Sequence, residues 1–401
     1  MKKFLCTVLI LIMAMLLFAG CQPNIIEKPP EEFDVNIDVD RNTEATLRIL
    51  VPSTDGGQEE MYIKALEPGF KEMFPNVTIE YDRRAISDDK YVESISSAIA
   101  SGEVPDLFYA NTVFYYYLVS QNCIISLEPY YAAEADRYNT TGGQEGLNLD
   151  ADYYTSFFDM SKYEGNRYVV PRSMDSVVTY YNTEFLQAAG ISLSDERLVS
   201  TEENPFTWDD LVSLCKDVND FIVSEEGRQA GYGSAYALQA DFDWEAEEIK
   251  ESFNAVPFPL IGENAKIGCG FAGWGISSTA DDTTRDIAWQ FLKYMISREG
   301  QMALINAGLA TPSIRIDLAE EKQWSKGYED LNLDAWLQWE EYKVSSKFFV
   351  NQDPSATFDI LSALQTFMRN LVDPTLTGTS VKSVEMCIAT AKEDLSEAVQ
   401  G

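Results

Sequence analysis

The run Thr46-Leu47-Arg48-Ile49-Leu50-Val51 reads as a strand, closed by Pro52 and the turn-forming Asp55-Gly56-Gly57. Working outward from it settles the fold class. Ile63, Leu66, Phe70 and Phe74 recur at spacings of three and four and predict a helix, which Pro68-Gly69 should kink. Val77-Thr78-Ile79-Glu80-Tyr81 alternates apolar with polar, as a half-buried strand does. Tyr91, Ile95 and Ile99 then mark one face of a second helix ending at Gly102, and a third strand, Asp106 to Ala110, leads into the aromatic segment Val113 to Val119. Strand, helix, strand, helix, strand is the order of a parallel sheet with right-handed crossovers, so the chain is α/β. Such sheets bind ligands at the carboxyl ends of their strands. Here that edge gathers Ser53 to Gly57, Arg83 and Arg84, and Tyr109 to Thr112. Neither a G-x-G-x-x-G fingerprint nor a P-loop is present.

A second unit begins near Tyr163. Tyr168-Val169-Val170-Pro171 and Ser176 to Tyr181 read as strands, separated by the polar turn Arg172-Ser173-Met174-Asp175, a natural place for a hinge or a ligand contact. Helices are predicted at Thr183 to Ala189, from Thr207-Trp208-Asp209-Asp210 to Phe221, and from Asp286 to Ile296. Between them Lys266 to Ser277, K-I-G-C-G-F-A-G-W-G-I-S, carries glycines at a density that a rigid strand avoids, though it lets backbone pass close to another surface. The C-terminal third is helical in character.

Composition narrows the chemistry. With 65 Asp and Glu against 30 Lys and Arg the 401-residue chain carries a formal charge of -35, which repels nucleic acid and anionic lipid and suits a neutral or cationic small ligand. Histidine is absent, so Ser-His-Asp and Cys-His nucleophile pairs and His-ligated zinc are excluded. Cysteines stand at 6, 21, 123, 215, 269 and 387 without a C-x-x-C pair; those at 123, 215, 269 and 387 are read as free thiols. Neither metal, cofactor nor catalytic residue is expected. At the start, Lys2 and Lys3 precede an apolar run from Phe4 to Phe18 and the small residues Ala19 and Gly20, the order of a secretory leader over residues 1–20. Residues 21–44, polar and acidic with Pro29-Pro30, read as a tether.

Leu17-Phe18-Ala19-Gly20-Cys21 resembles the bacterial lipobox, which implies lipidation of Cys21 and a place on the outer face of the cytoplasmic membrane. A wider resemblance runs through Gly69-Phe70-Lys71-Glu72-Met73-Phe74-Pro75-Asn76-Val77, Ile99 to Leu107, Gly165 to Pro171, Tyr180 to Thr183, Thr207 to Leu211, Ala288 to Met295, Gly300-Gln301 and Thr311-Pro312. In that order these segments resemble the extracellular solute-binding protein family 1, sugar-binding components of bacterial ABC importers. The resemblance implies the type II periplasmic-binding-protein-like fold, two α/β lobes joined by crossing strands. One lobe would comprise 45–165 and 276–311, the other 166–275 and 312–401. It also implies a carbohydrate ligand, permease subunits as partners, and a monomer. Between Gly231-Tyr232-Gly233 and Val256-Pro257-Phe258-Pro259 the chain spends fewer residues than that family does, so the second lobe is expected to be shortened.

Aromatic faces cover the C–H patches of sugars, while carboxylates, amides and guanidinium groups bind their hydroxyls. Thr54, Asp55, Tyr109, Asn111, Arg172, Asp175 and Trp274 offer those chemistries, and the family pattern puts the Asn111 loop, the Arg172–Asp175 turn and the Gly273-Trp274-Gly275 loop at the cleft. Each has a plainer reading. Tyr109 suits a core equally well, Arg172 and Asp175 can pair with each other at the surface, and Trp274 could be core, although between two glycines it is expected to be exposed and in contact with ligand. Tyr115 to Tyr117 are read as packing, and Trp336 and Trp339 as core. Two other functions fit the same composition: a surface enzyme acting on polysaccharide through two carboxylates, or a sensor or adhesion protein on the same fold.

Overall fold

β1 (Ala45–Val51) is buried on both faces over its last three residues, as a central strand covered by helices must be. It pairs in parallel with β2 (Val77–Arg83), from Ala45↔Val77 to Val51↔Arg83, and with β3 (Leu107–Asn111) at Ile49↔Leu107. The crossovers are α1 (Gln58–Met73) and α2 (Asp88–Ser101). α1 runs on through Pro68 as one helix. At Gly69 a Cβ would lie 1.9 Å from the Tyr294 hydroxyl, so glycine is what lets the two elements meet. The computed structural model describes residues 26, 33–52, 57–84, 88–233, 235, 237, 253–260, 266–309, 312–325, 331–345 and 390. The leader, Cys21, Thr54, Asp55 and Cys387 lie outside the described residues.

Past β3 the chain forms α3 (Glu128–Thr140) and the short strand β4 (Val170–Pro171), then leaves the sheet. β5 (Val178–Asn182) and β6 (Phe253–Pro257) pair antiparallel, with α4 (Thr183–Ala188) and α5 (Trp208–Val223) between them in sequence. Thr207 and Asp210 close a reciprocal capping box that starts α5 at the residue the sequence predicts. The return runs through β7 (Ile267–Cys269) and β8 (Ala272–Ile276) into α6 (Asp282–Ile296) and α7 (Arg298–Asn306), and β9 (Lys343–Ser345) lies parallel to β7. The large sheet has the order β2-β1-β3-β8-β4, with β8 antiparallel to both its neighbours.

Two separate cores result. The larger packs around the five-stranded sheet; the smaller gathers Leu186, Ile191, Leu198, Phe206, Leu214, Val218, Ile222 and Val256. They are the cores of two lobes. Among the described residues the second lobe's sheet has the two strands β5 and β6. Residues 172–177 and 266–271 stand in sequence between strands of the two sheets and touch through a bridge between Asp175 and Gly270.

Three expectations need correction. The glycine-rich segment does form a strand, β8, in the interior of the sheet, because at Gly273 a Cβ would sit 2.0 Å from the Val170 carbonyl oxygen: the close approach is a neighbouring strand. β4 and most of β8 bond into the first lobe's sheet, so that sheet takes in residues assigned to the second lobe. The presumed tether is not free from Phe33 onward, since Phe33, Val35, Ile37 and Val39 pack against the larger core. Cys123, Cys215 and Cys269 are free thiols, as expected.

Candidate functional site

At the carboxyl edge of the large sheet, Arg172 follows directly on β4. Its guanidinium is buried and gripped by Glu59 in α1: Nε donates to Oε2 and Nη2 to Oε1, both at 2.9 Å. The same group lies 4.3 Å over the Tyr62 ring and donates from Nη1 to the Ser173 hydroxyl. Burial works against this charge, and the Glu59 carboxylate more than reverses that, raising the Arg172 pKa above its ordinary value. Arg172 and Asp175 do form the ion pair expected from their spacing, at 3.8 Å, but with a buried guanidinium and as a longer contact than the two bonds to Glu59. The closer partner is Glu59, which sequence reasoning missed because it stands on another element.

Asp175 is half-buried beside Gly270, whose N–H donates to the Asp175 carbonyl at 3.2 Å. Burial pushes its carboxyl above the usual range, Arg172 opposes this and Glu59 adds to it. Thr112 closes the other side of the crossing segment, accepting from the Phe271 N–H at 3.0 Å through its hydroxyl and donating its own N–H to the Phe271 carbonyl. Tyr109, on β3, is mostly buried with its ring edge-on to Trp274, and burial raises its phenol, with Glu59 and Asp175 adding and Arg172 opposing. Asn111 spends its carbonyl oxygen on the N–H groups of Val113 and Phe114, at 2.9 and 3.0 Å, holding the turn after β3. Tyr109, Arg172 and Asp175 are thus brought together beside the connecting segments, with Asn111 fixing the loop next to them.

Trp274 is not exposed. It is wholly buried and its indole N–H donates to the Leu50 carbonyl at 3.0 Å, because β8 is an interior strand and the flanking glycines make room for its neighbours. Its place is the core. On the second lobe, Tyr180 of β5 meets the half-buried Trp336 edge-on at 5.8 Å, and Trp336 meets Trp324 at 6.2 Å. Trp339 is core, as read; Trp336 is only partly so.

Residues 52–221 match the family of bacterial extracellular solute-binding proteins. Over that stretch the chain is similar to that family. Its fold is shared, over nearly the whole length of each relative, with several such receptors. The GacH receptor of Streptomyces glaucescens, described in complex with acarbose, is 14% identical with a TM-score of 0.58, covering 90% of this chain and 99% of that one. The cyclic α-maltosyl-1,6-maltose binding protein of Arthrobacter globiformis is 12% identical at a TM-score of 0.59, covering 89% and 100%. UgpB of Mycobacterium tuberculosis, in complex with glycerophosphocholine, is 14% identical at 0.56, covering 89% and 99%. Likeness at this identity is likeness of fold. No curated protein matches the chain by sequence.

Proposed function

We propose that this solute-binding protein captures a carbohydrate between its lobes and hands it to the permease of an ABC importer, acting as a monomer held on the outer face of the cytoplasmic membrane by lipid on Cys21. The observation that carries the reading is the placement of Tyr109, Arg172 and Asp175 where the two lobes connect, at the carboxyl edge of an open α/β sheet. A hinge flanked by preoriented hydroxyl, carboxylate and guanidinium groups suits a polyol that the lobes close upon. Tyr180 and Trp336 are the candidate stacking faces of the second lobe. Binding is favoured over glycoside hydrolysis because both oxygens of Glu59 are engaged by Arg172, which leaves no second free carboxylate among these residues to work with Asp175.

Titration calorimetry against a panel of neutral oligosaccharides, with glycerophosphocholine as the non-sugar comparison, tests the ligand class. Asp175→Asn should weaken sugar binding without lowering the melting temperature of the free protein. Binding of the phosphodiester alone would refute the carbohydrate reading. Anchoring is tested separately: Cys21→Ala should release the protein from membranes or leave it uncleaved, and an unchanged fractionation and migration would refute lipidation.

A further inference from the structure

From Phe33 onward the acidic arm before β1 is bound to the first lobe. Phe33 packs edge-on against Tyr130 with centroids 6.1 Å apart, and the Arg285 guanidinium covers its ring at 4.6 Å. Arg285 donates to the Asp34 carbonyl at 2.9 Å, the Asn36 N–H donates to Asp286 at 3.3 Å, and Gln290 donates to the Ile37 carbonyl at 3.0 Å. Arg137 of α3 pairs with Asp38, and Arg41 donates to the Glu72 carbonyl at 2.8 Å. Nearer the start, the Ile26 carbonyl accepts from Asn122 at 3.4 Å.

Arg41's partner Glu72, Asn122, Arg285 and Asp286 lie at one edge, while Gln290 and Arg137 stand farther along α6 and α3. Glu72 ends α1, which has run back from the carboxyl ends of the strands. Asn122 precedes the Ile124–Ser277 bridge, next to the β3–β8 pair Leu107↔Ile276, and Arg285 and Asp286 stand in the first half of α6 just after it. That is the amino edge of the sheet, opposite Tyr109, Arg172 and Asp175. Ile26 stands 26 − 21 = 5 residue steps after Cys21, a reach of about 18 Å at full extension. The seven residues of β1 alone span about 23 Å. A lipid on Cys21 is therefore too short a leash to bring the carboxyl edge level with the membrane.

We propose that the amino edge of the first lobe, with the arm Phe33–Asn42 strapped across it, is the face turned to the bilayer surface, so that the cleft opens away from the membrane. The proposal rests on the reading of Cys21 as the anchored residue. Charge does not supply the contact, since a chain of net charge -35 is repelled by anionic headgroups; the leash imposes it. Presenting the cleft to a permease in the same membrane then requires the arm to peel off. The leash would grow to the 45 − 21 = 24 residues that precede β1, a reach of about 80 Å.

The test supplies the anchor chemically, so that it reads orientation whether or not the cell lipidates the chain. The full chain from Cys21, with Cys215→Ser and Cys387→Ser, is joined through its N-terminal cysteine to a thioester lipid in phosphatidylcholine vesicles carrying an acceptor dye, and transfer is read as the difference from the same protein without the added cysteine. A donor dye is placed at Asp282→Cys, an exposed site at the amino edge, or at Val177→Cys, an exposed site on a connecting segment. Energy transfer from position 282 should exceed that from 177 several-fold. Phe33→Ala with Arg285→Ala should level the two, and Asp38→Ala with Arg41→Ala, which spares the buried contacts, should do so in part. Equal transfer in the parent, or an asymmetry that survives both variants, overturns the proposal. Metabolic labelling with palmitate reports on native lipidation independently, and its failure would remove the anchor reading without altering the measured orientation.

Discussion

Replacing Arg172 by Met should be among the most damaging changes at the carboxyl edge, and the damage should be largely undone by also replacing its partner. Glu59 is 8% exposed and Arg172 is 7% exposed, so each ion has given up nearly all of its water. Removing the guanidinium strands a buried carboxylate that has lost two hydrogen bonds of 2.9 Å, a loss of about 3–5 kcal/mol for a broken buried pair. The stacking on Tyr62 adds about 1 kcal/mol. At about 2–4 °C per kcal/mol, the transition of the first lobe should fall by about 10 °C. Glu59→Leu combined with Arg172→Met removes both charges and fills the site with apolar volume, so the double variant should return to within about 2 kcal/mol of the parent. Urea and thermal melts of the four proteins in the cycle measure this directly. Additive losses, or an Arg172→Met protein as stable as the parent, would refute the buried pair as the element that holds α1 to the connecting segment. Ligand affinity gives the second axis: if Arg172 acts by positioning Ser173 and Asp175, the double variant keeps part of the sugar affinity, whereas a direct contact is lost in both.

Trp274→Phe should cost about 1–3 kcal/mol, mostly through the buried Leu50 carbonyl left without its donor, and Trp274→Ala about 3–5 kcal/mol; melts of the free protein check both. Lys343 is buried with its ammonium donating to the Trp336 carbonyl at 2.7 Å, and burial lowers its pKa from the ordinary 10.5 to about 8. Between those values the unfolded chain holds the extra proton, so Lys343 destabilises most below pH 8 and the penalty disappears as pH rises toward 10.5. Lys343→Met should accordingly be more stable than the parent at pH 7, by up to about 3 kcal/mol, with the gap closing at high pH. A gap independent of pH in parallel melts would count against the buried ammonium.

β1, β2 and β3 were legible because their apolar residues alternate or cluster within lengths that suit only strands, and the capping box at Thr207 announced α5 by local chemistry alone. β8 was not legible: glycine carries no propensity for a strand, and what makes Gly273 necessary is a carbonyl on Val170, about a hundred residues earlier in the chain. The same blindness to distance turned Trp274 outward, since a tryptophan between glycines looks unsupported until its neighbours are in place. It also matched Arg172 to Asp175 alone, three residues away, when the closer partner was Glu59 in α1. Spacing finds partners along one element and misses those that the topology delivers.

The arm shows the converse failure, where composition alone misleads. A polar, acidic stretch reads as a free tether because disordered and surface-bound segments share that composition. What separates them is whether cations and donors await on the folded surface, and here Arg285, Gln290 and Arg137 do, two of them aimed at backbone carbonyls that every sequence possesses, while Arg41 of the arm reaches the Glu72 carbonyl in return. Most of these bonds are exposed or partly so, and an exposed ion pair such as Arg137–Asp38 contributes only about 0–1 kcal/mol. An arm held by several weak polar contacts and one aromatic seat can open well below the free energy that unfolds the lobe beneath it. On the anchoring proposed for Cys21, such a strap would be strong enough to orient the resting molecule and weak enough to release when a partner competes for the cleft.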